Sequence, residues 1–151
     1  MTKSVRAEPV EALRQAQGER SFSHPIRVYW EDTDAGGIVF YANYLKFFER
    51  ARTEWLRSLG IAQGELRAAT GGIFVVTETS LRYLVPARLD DELLVTAALE
   101  AAGRASLIIR QQARRGATLL CEGTIRIGWV DAAALRPSRI PDAILEVLKN
   151  Q

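Results

Sequence analysis

Three acidic side chains fall within four positions just before the most apolar helical pattern of the chain. Glu31, Asp32 and Asp34 are followed by Gly36 and Gly37, in the stretch EDTDAGGIVFYANYLKFFERARTEW. A carboxylate beside an electrophile can attack it or act as a general base. Helix N-terminal amides are unpaired and carry partial positive charge, so they can stabilise a developing anion. The stretch is therefore either a solvated loop or a site where a carboxylate and a helix N-terminus face one substrate.

Other catalytic sets are weaker because the residues that they need are scarce. The single histidine, His24, precedes Pro25 at the edge of the predicted domain, which is a poor place for a Ser–His–Asp or Cys–His arrangement. The single cysteine, Cys121, lies among apolar residues of a predicted strand, as expected of inert packing. No spacing of histidine, cysteine and acidic residues resembles a metal site. Gly71 and Gly72 lack the Lys and Ser/Thr of a phosphate-binding loop.

The composition indicates one globular domain. The chain has 151 residues, 48% apolar and 25% charged, which excludes disordered and fibrous classes. One cysteine cannot form an internal disulfide, which fits a reducing compartment. A net charge of +2, with basic residues scattered among acids, does not argue for nucleic acid. No apolar run approaches the roughly 18 residues of a membrane span, and no apolar signal region follows the N-terminus, so the cytoplasm is the expected location.

The first residues differ in character from the rest of the chain. Residues 1–23 are polar, rich in Ala, Arg, Gln and Glu, and contain few large apolar side chains besides Val10 and Leu13. We predict an N-terminal extension here that is disordered or weakly docked. The folded domain is predicted over residues 24–151, with regular structure from near Ile26.

A long helix is predicted directly after the acidic stretch. Apolar side chains recur there at spacings of three and four residues, which places them on one stripe of an α-helix. The stripe consists of Tyr44, Phe47, Phe48, Ala51, Trp55 and Leu59. The interleaved charged residues, Arg52 among them, are assigned to the other faces, and Gly60 is the predicted stop. So many aromatic side chains predict a deeply buried helix.

Five extended segments surround this helix in the chain. The alternation in IRVYWED predicts the first strand. Four later segments, joined by short turns, predict an antiparallel meander: IFVVTETSLRYLV, DELLVTAALE, SLIIRQQAR and TLLCEGTIRIGWV. The polar stretch GELRAATGG before them is assigned no element, and a C-terminal helix is predicted from Pro141. The order indicates an α+β fold with a curved sheet around one helix, whose open edges favour dimerisation.

The segments YWEDTDAGGIVFYANYLKFFERARTEWLRSLG and YLVPARLDDEL resemble the hot-dog-fold acyl-CoA thioesterases. The similarity is to the 4-hydroxybenzoyl-CoA thioesterase and YbgC-like (Tol–Pal-associated) group, and it covers about residues 26–130. It implies a curved antiparallel sheet of about five strands wrapped around one long central helix. It also implies a homotetramer, a dimer of dimers with each pocket at a subunit interface.

The resemblance assigns the catalytic roles. The second acid of the D-x-D-x-x-G motif, Asp34, takes the position of the catalytic carboxylate. The backbone N–H of Tyr41 takes the position of the oxyanion donor. From their residue type alone, Gly36 and Gly37 are simple turn residues or, as their place beside this site favours, allow the substrate to approach closely. YbgC-like members often have a histidine where this chain has Tyr41, whereas the hydroxybenzoyl-CoA members have tyrosine. No histidine side-chain role is therefore transferred.

Three neighbours have alternative predicted roles. Asp32 orients the loop, raises the pKa of Asp34 by like-charge repulsion, or is a plain turn residue. Asn43 caps the helix or contacts substrate. Tyr44 belongs to the core or lines the acyl pocket.

The expected function is hydrolysis of an acyl-CoA thioester to a free acid and coenzyme A, without metal or redox cofactor. Acyl-CoA is the expected substrate, and an acyl carrier protein is a second candidate partner. A basic rim for the phosphates is available from Arg82, Arg88, Arg104, Arg114 and Arg115. One rival is a non-catalytic acyl-binding or scaffold protein of the same fold. The other is a hydratase or dehydratase, whose members usually rely on a histidine that this motif lacks.

Overall fold

The computed structural model describes residues 22–151. The predicted disorder or weak docking concerns residues 1–23, and all of these except Phe22 and Ser23 lie outside the described residues. Those two residues begin a strand, so regular structure starts earlier than the predicted Ile26. None of the described helices is long and apolar enough to cross a membrane.

A five-stranded antiparallel sheet forms the body of the protein. Its strands are β1 Phe22–Arg27, β2 Gly72–Tyr83, β3 Glu92–Ala102, β4 Ser106–Arg115 and β5 Thr118–Asp131. Across the sheet they lie in the order β1-β3-β4-β5-β2, and each neighbouring pair is antiparallel. The predicted α+β architecture with five strands is confirmed.

The predicted four-strand meander is wrong about the position of β2. Strands β3, β4 and β5 follow one another as predicted, but β2 pairs with β5 at the far edge and β1 pairs with β3. The connection from β2 to β3, residues 84–91, is too long for a tight hairpin and contains Pro86. It passes the segment before the long helix, where Val39 donates its N–H to the Ala87 carbonyl at 2.9 Å. This contact leads the chain across the sheet instead of back along β2.

The first strand is shorter than predicted. β1 ends at Arg27, and Trp30–Asp32 form a short 3-10 helix. Within it, Asp32 donates its N–H to the Tyr29 carbonyl at 3.0 Å. The period-2 alternation of the sequence therefore continues beyond the strand itself, and the acidic residues leave the plane of the sheet.

Three helices complete the domain: α1 Tyr44–Ser58, α2 Gln63–Thr70 and α3 Asp142–Lys149. α1 packs on β1, β3 and β4, as predicted for the central helix. Gly60, with φ of 84°, follows its C-terminal end. α2 lies in the stretch that was assigned no element. Because none of its residues is buried, it has no apolar stripe to reveal it.

The predicted apolar stripe of α1 is buried. Phe47, Phe48 and Ala51 are fully enclosed, and Trp55 is nearly so. Removing a large apolar side chain from water contributes about 1.5–3 kcal/mol. This stripe therefore fixes how α1 lies on the sheet, and with it the position of the helix N-terminus.

Arg52 corrects the predicted division of α1 into faces. This residue is only 8% exposed, although it was assigned to a charged surface. Its Nη1 donates to Gln111 Oε1 at 3.0 Å. The amide nitrogen of Gln111 donates to the carbonyls of Phe48 and Thr96 at 3.0 and 3.1 Å. A buried polar bridge thus ties α1 to β3 and β4, and desolvation lowers the pKa of Arg52 although the charge of Glu49 opposes this.

Candidate active site

A tight turn carries the acidic motif to the surface beside the start of α1. Asp34 donates its N–H to the Ile38 carbonyl at 2.8 Å, and Gly37 donates its N–H to the Asp34 carbonyl at 3.0 Å. Thr33 and Val39 form an antiparallel bridge at the base of the turn. Gly37 has φ of 79°, in the left-handed region where glycine has no steric penalty. The turn geometry alone therefore accounts for this glycine.

The side chain of Asp34 is exposed at the tip of this turn. Its Oδ1 accepts the Gly36 N–H at 2.8 Å, and the described residues give Oδ2 no hydrogen bond. A Cβ on Gly36 would lie 3.2 Å from Oδ1, so a larger residue would crowd the carboxylate. Asp34 thus keeps one carboxylate oxygen open to a ligand or to water.

Asp32, two residues earlier, is buried and bonded on both carboxylate oxygens. Oδ1 accepts the Asn43 side-chain amide at 2.8 Å, and Oδ2 accepts the Tyr29 N–H at 2.8 Å. The Asp32 carbonyl also accepts the Phe40 N–H at 2.9 Å. These bonds join the base of the acidic turn to the segment that begins α1. This geometry supports the loop-orienting role among those predicted for Asp32.

Asn43 and Tyr44 are both occupied by protein partners. Asn43 occupies the predicted N-cap position of α1, but its buried side chain donates to Asp32 and forms no cap bond to the helix. Tyr44 is buried in the core, and its hydroxyl accepts the Ala87 N–H at 3.3 Å. Burial is the largest cause of the raised pKa of Tyr44. The predicted substrate contacts of Asn43 and Tyr44 stay predictions.

The chain reaches α1 through a second 3-10 turn, Tyr41–Asn43. Because Tyr41 is the first residue of this turn, its N–H has no partner within the turn. The first turn of α1 carries no acidic residue of its own, and the buried Asp32 carboxylate accepts the side-chain amide of Asn43 at the N-cap position. The bond from the Phe40 N–H to the Asp32 carbonyl ties the turn that carries Asp34 to the residue before Tyr41.

The predicted basic rim is partly engaged elsewhere. Arg82 lies 3.5 Å from Glu122, and Arg115 lies 2.7 Å from Asp91. Asp91 also accepts the backbone N–H of Arg88 at 2.9 Å. Burial raises the pKa of Asp91, but these hydrogen bonds and the nearby positive charges outweigh it and bring the pKa below its ordinary value. Two of the five candidate arginines thus have carboxylate partners.

Sequence reasoning missed the support around the site. The Tyr83 hydroxyl, at the end of β2, donates to the Tyr41 carbonyl at 3.0 Å across 42 positions of sequence. The bond between Asp32 and Asn43 spans 11 positions. No local pattern reports such contacts, because they depend on how distant segments are folded together.

Two further chemistries can be assessed at the described residues. Burial raises the pKa of Cys121 to about 12, so its thiol stays protonated at neutral pH and is a poor nucleophile. Within residues 22–151, no group of three or more His, Cys, Asp or Glu side chains is arranged to hold a metal ion. The exposed carboxylate of Asp34 remains the group best placed for chemistry.

The fold and the site together define a class of protein. A five-stranded antiparallel sheet around one long helix is the hot-dog fold, and here a carboxylate turn precedes that helix, as expected of a thioesterase.

The chain belongs to the thioesterase-like superfamily, whose family model matches residues 28–148. It is 40% identical over 126 residues to the acyl-CoA thioesterase YbgC of Haemophilus influenzae, covering 83% of this chain and 93% of that one. It is also 40% identical over 130 residues to the acyl-CoA thioester hydrolase YbgC of Escherichia coli O6:H1, covering 85% and 96%. A probable thioesterase from Bartonella henselae superposes with a TM-score of 0.76 and 30% identity, over 79% of this chain and 98% of that structure. The predicted family is confirmed.

Proposed function

We propose that the protein is an acyl-CoA thioesterase that converts an acyl-CoA and water into a carboxylic acid and free coenzyme A. One observation supports the proposal: Asp34, whose carboxylate accepts a single described backbone bond, lies in a turn that the Phe40–Asp32 and Asn43–Asp32 bonds tie to the segment just before α1, which contains Tyr41. The two YbgC relatives, named as acting on acyl-CoA, support the substrate class.

The proposed reaction uses Asp34 in one of two ways. As a nucleophile, its free oxygen attacks the thioester carbon, the C–S bond breaks, coenzyme A leaves as a thiolate that gains a proton, and water hydrolyses the resulting anhydride. As a general base, Asp34 removes a proton from the water that attacks the same carbon. In both routes the Tyr41 N–H and the helix N-terminus stabilise the oxyanion of the tetrahedral intermediate.

Solvent oxygen can reveal the nucleophilic route. Repeated turnover in ¹⁸O-water followed by peptide mass spectrometry reports on the Asp34 side chain. Label in that carboxylate requires an anhydride that water attacks at the aspartyl carbon, and it therefore establishes the nucleophilic route. Label confined to the released acid is expected of the general-base route and also of an anhydride that water attacks at the acyl carbon.

The proposal includes assembly of the chain into dimers and then tetramers. β2 is an outer strand of the sheet, 12 residues long, and several large apolar side chains on it and just after it are exposed: Val76, Tyr83, Leu84 and Val85. A long open strand with apolar neighbours is a surface on which a second copy can pair. Light scattering coupled to size exclusion tests this part, and a monomer at micromolar concentration contradicts it.

The test of the activity is a hydrolysis screen that follows thiol release. The panel contains short and long aliphatic acyl-CoAs, aromatic acyl-CoAs and one acyl chain carried on an acyl carrier protein. Turnover of at least one thioester is expected, and the acyl preference follows from the same measurement. Saturable binding of acyl-CoA without turnover of any substrate would instead assign the chain to the non-catalytic acyl-binding class.

The proposal places the enzyme in the cytoplasm, in line with its single, buried cysteine.

A further inference from the structure

Tyr83 joins the outer strand of the sheet to the start of α1. It is the last residue of β2, and its hydroxyl donates to the carbonyl oxygen of Tyr41 at 3.0 Å. Tyr41 is the residue whose backbone N–H is the proposed oxyanion donor. The contact therefore reaches the proposed site from a different part of the sheet than the Asp32 contacts do.

Aromatic neighbours fix the ring of Tyr83, although this side chain is 49% exposed. Its centroid lies 6.3 Å from that of Tyr41 in an edge-on arrangement, and 5.7 Å from that of Tyr44. Aromatic pairs at these separations attract each other beyond simple burial. Burial is the largest cause of the raised pKa of Tyr83, followed by the fields of Cys121 and Tyr41. The phenol thus remains a protonated donor at neutral pH.

Tyr41 begins a 3-10 turn of three residues, and its own ring is 64% exposed. The peptide plane that carries its N–H is held by the Phe40 carbonyl, which accepts the Asn43 N–H at 2.8 Å. Short 3-10 turns have weaker hydrogen-bond geometry than α-helices, so external contacts matter more for their orientation. The Tyr41 carbonyl lies in the next peptide plane, so its bond to Tyr83 limits displacement of the Tyr41 Cα from the other side.

We infer that Tyr83 is a positioning residue for the thioesterase reaction, acting through its hydroxyl to hold the Tyr41 amide in the direction of the oxyanion. This inference rests on the proposed function for its kinetic consequence. Its structural part, the restraint on Tyr41, is independent of any activity. An oxyanion donor is effective when it is oriented before the charge develops, so loosening it lowers turnover more than substrate binding.

The matched test compares the loss of two hydroxyl groups. Tyr83→Phe retains the ring that packs on Tyr41 and Tyr44 and removes only the donor. Ser138→Ala is the control, because Ser138 is exposed after β5 and the described residues give its hydroxyl no partner. We expect Tyr83→Phe to lower kcat by about 10-fold, the loss associated with about one hydrogen bond. KM should stay within about twofold and the melting temperature within about 2 °C of wild type, and Ser138→Ala should leave all three unchanged.

A second measurement separates this inference from the proposed function. Amide hydrogen exchange at Asn43, whose N–H donates to the Phe40 carbonyl at 2.8 Å, reports on the 3-10 turn in the full-length protein without substrate. Faster exchange there in Tyr83→Phe, with unchanged exchange in the core of α1, is expected. Unchanged exchange and unchanged kcat overturn the inference. If the wild-type protein hydrolyses no thioester, the proposed function fails, while the exchange data still decide whether Tyr83 restrains Tyr41.

Discussion

Asp32 and Asp34 are the same amino acid two positions apart, and the fold treats them in opposite ways. Asp32 is 4% exposed, and both of its carboxylate oxygens accept hydrogen bonds. Asp34 is exposed, and one oxygen accepts a single backbone bond. A carboxylate whose acceptor positions are taken by the protein serves structure, whereas one with an open oxygen can react. Within one short loop, Asp32 therefore stabilises the site and Asp34 is available to react.

The physical cost of burial explains why Asp32 has such partners. Removing a carboxylate from water costs several kcal/mol unless hydrogen bonds replace the lost solvation. The Asn43 amide and the Tyr29 N–H supply them, and hydrogen bonds to a charged group contribute about 1.5–3 kcal/mol each. Asp34 remains in contact with water and avoids this cost. Its carboxylate would lose water only when a substrate covers it.

The largest expected effect is on turnover, from Asp34→Asn. The change keeps the size of the side chain and removes the nucleophile or base, so kcat should fall by about 100-fold or more. The melting temperature should stay within about 2 °C, because Asp34 is exposed. Steady-state thiol release and thermal unfolding measure the two quantities. Glu31→Gln is the matched control, because Glu31 is a neighbouring exposed acid whose loss should change kcat by less than about twofold. Turnover at the wild-type rate in Asp34→Asn would remove Asp34 from the mechanism.

Asp32→Ala should reverse this pattern by affecting stability first. The change leaves the buried Asn43 amide and the half-buried Tyr29 N–H without this acceptor, and an unsatisfied buried donor costs about 1–3 kcal/mol. We expect the free energy of unfolding to fall by about 2–4 kcal/mol, as measured by urea denaturation. Activity of the folded fraction should fall by about 10-fold, since the acidic turn loses its bond to the start of α1. An unchanged free energy of unfolding would show that the hydrogen bonds of the Asp32 carboxylate do not stabilise the fold in solution.

Asn43, the side-chain partner of Asp32, gives a further test of the structural role of Asp32. Asn43→Ala removes one of the two bonds to Asp32 and should lower the free energy of unfolding by about 1–2 kcal/mol. Combined with Asp32→Ala, its effect should fall short of the sum of the single changes by about 1 kcal/mol, because both remove one shared interaction. Urea denaturation of the two single variants and the double variant gives the coupling. Strict additivity would mean that the bond between Asp32 and Asn43 contributes nothing of its own.

What the sequence predicts well here is set by local periodicity. The stripe of α1 follows from the helical repeat, so the helix and the burial of Phe47 and Phe48 could be predicted, although the stripe extends to Leu59, one residue beyond the end of α1. The position of β2 in the sheet could not be predicted, because the pattern of a strand does not specify which strand it pairs with. α2 was missed because its residues are exposed, and Arg52 was misplaced because a charged residue on α1 can be buried when a core residue such as Gln111 accepts its bond.

In the candidate site, too, the features set by a local motif could be predicted and those set by long-range contacts could not. The Asp34 position and its glycines follow from a contiguous motif and its resemblance to a family. The roles of Asp32, Asn43 and Tyr83 depend on bonds between segments that are separate in sequence. Residue type alone could not show which aspartate is buried and which is exposed, because both precede the same helix. Their different exposure follows from the fold, and only the folded chain reveals it.

The smallest expected effect comes from removing residues 1–21. The described bonds to both aspartates come from residues 29–43, and β1 begins at Phe22. We expect kcat and KM of the shortened chain to stay within about twofold of wild type, since no described support of Asp34 is lost. Removing residues 1–23 is the matched contrast: it also deletes Phe22 and Ser23, which pair with Ala97 and Thr96 in β3, so the melting temperature should fall. A large loss of turnover with the shorter deletion would mean that a segment distant in sequence contributes to the pocket, and the division between Asp32 and Asp34 would then be incomplete as an account of the site.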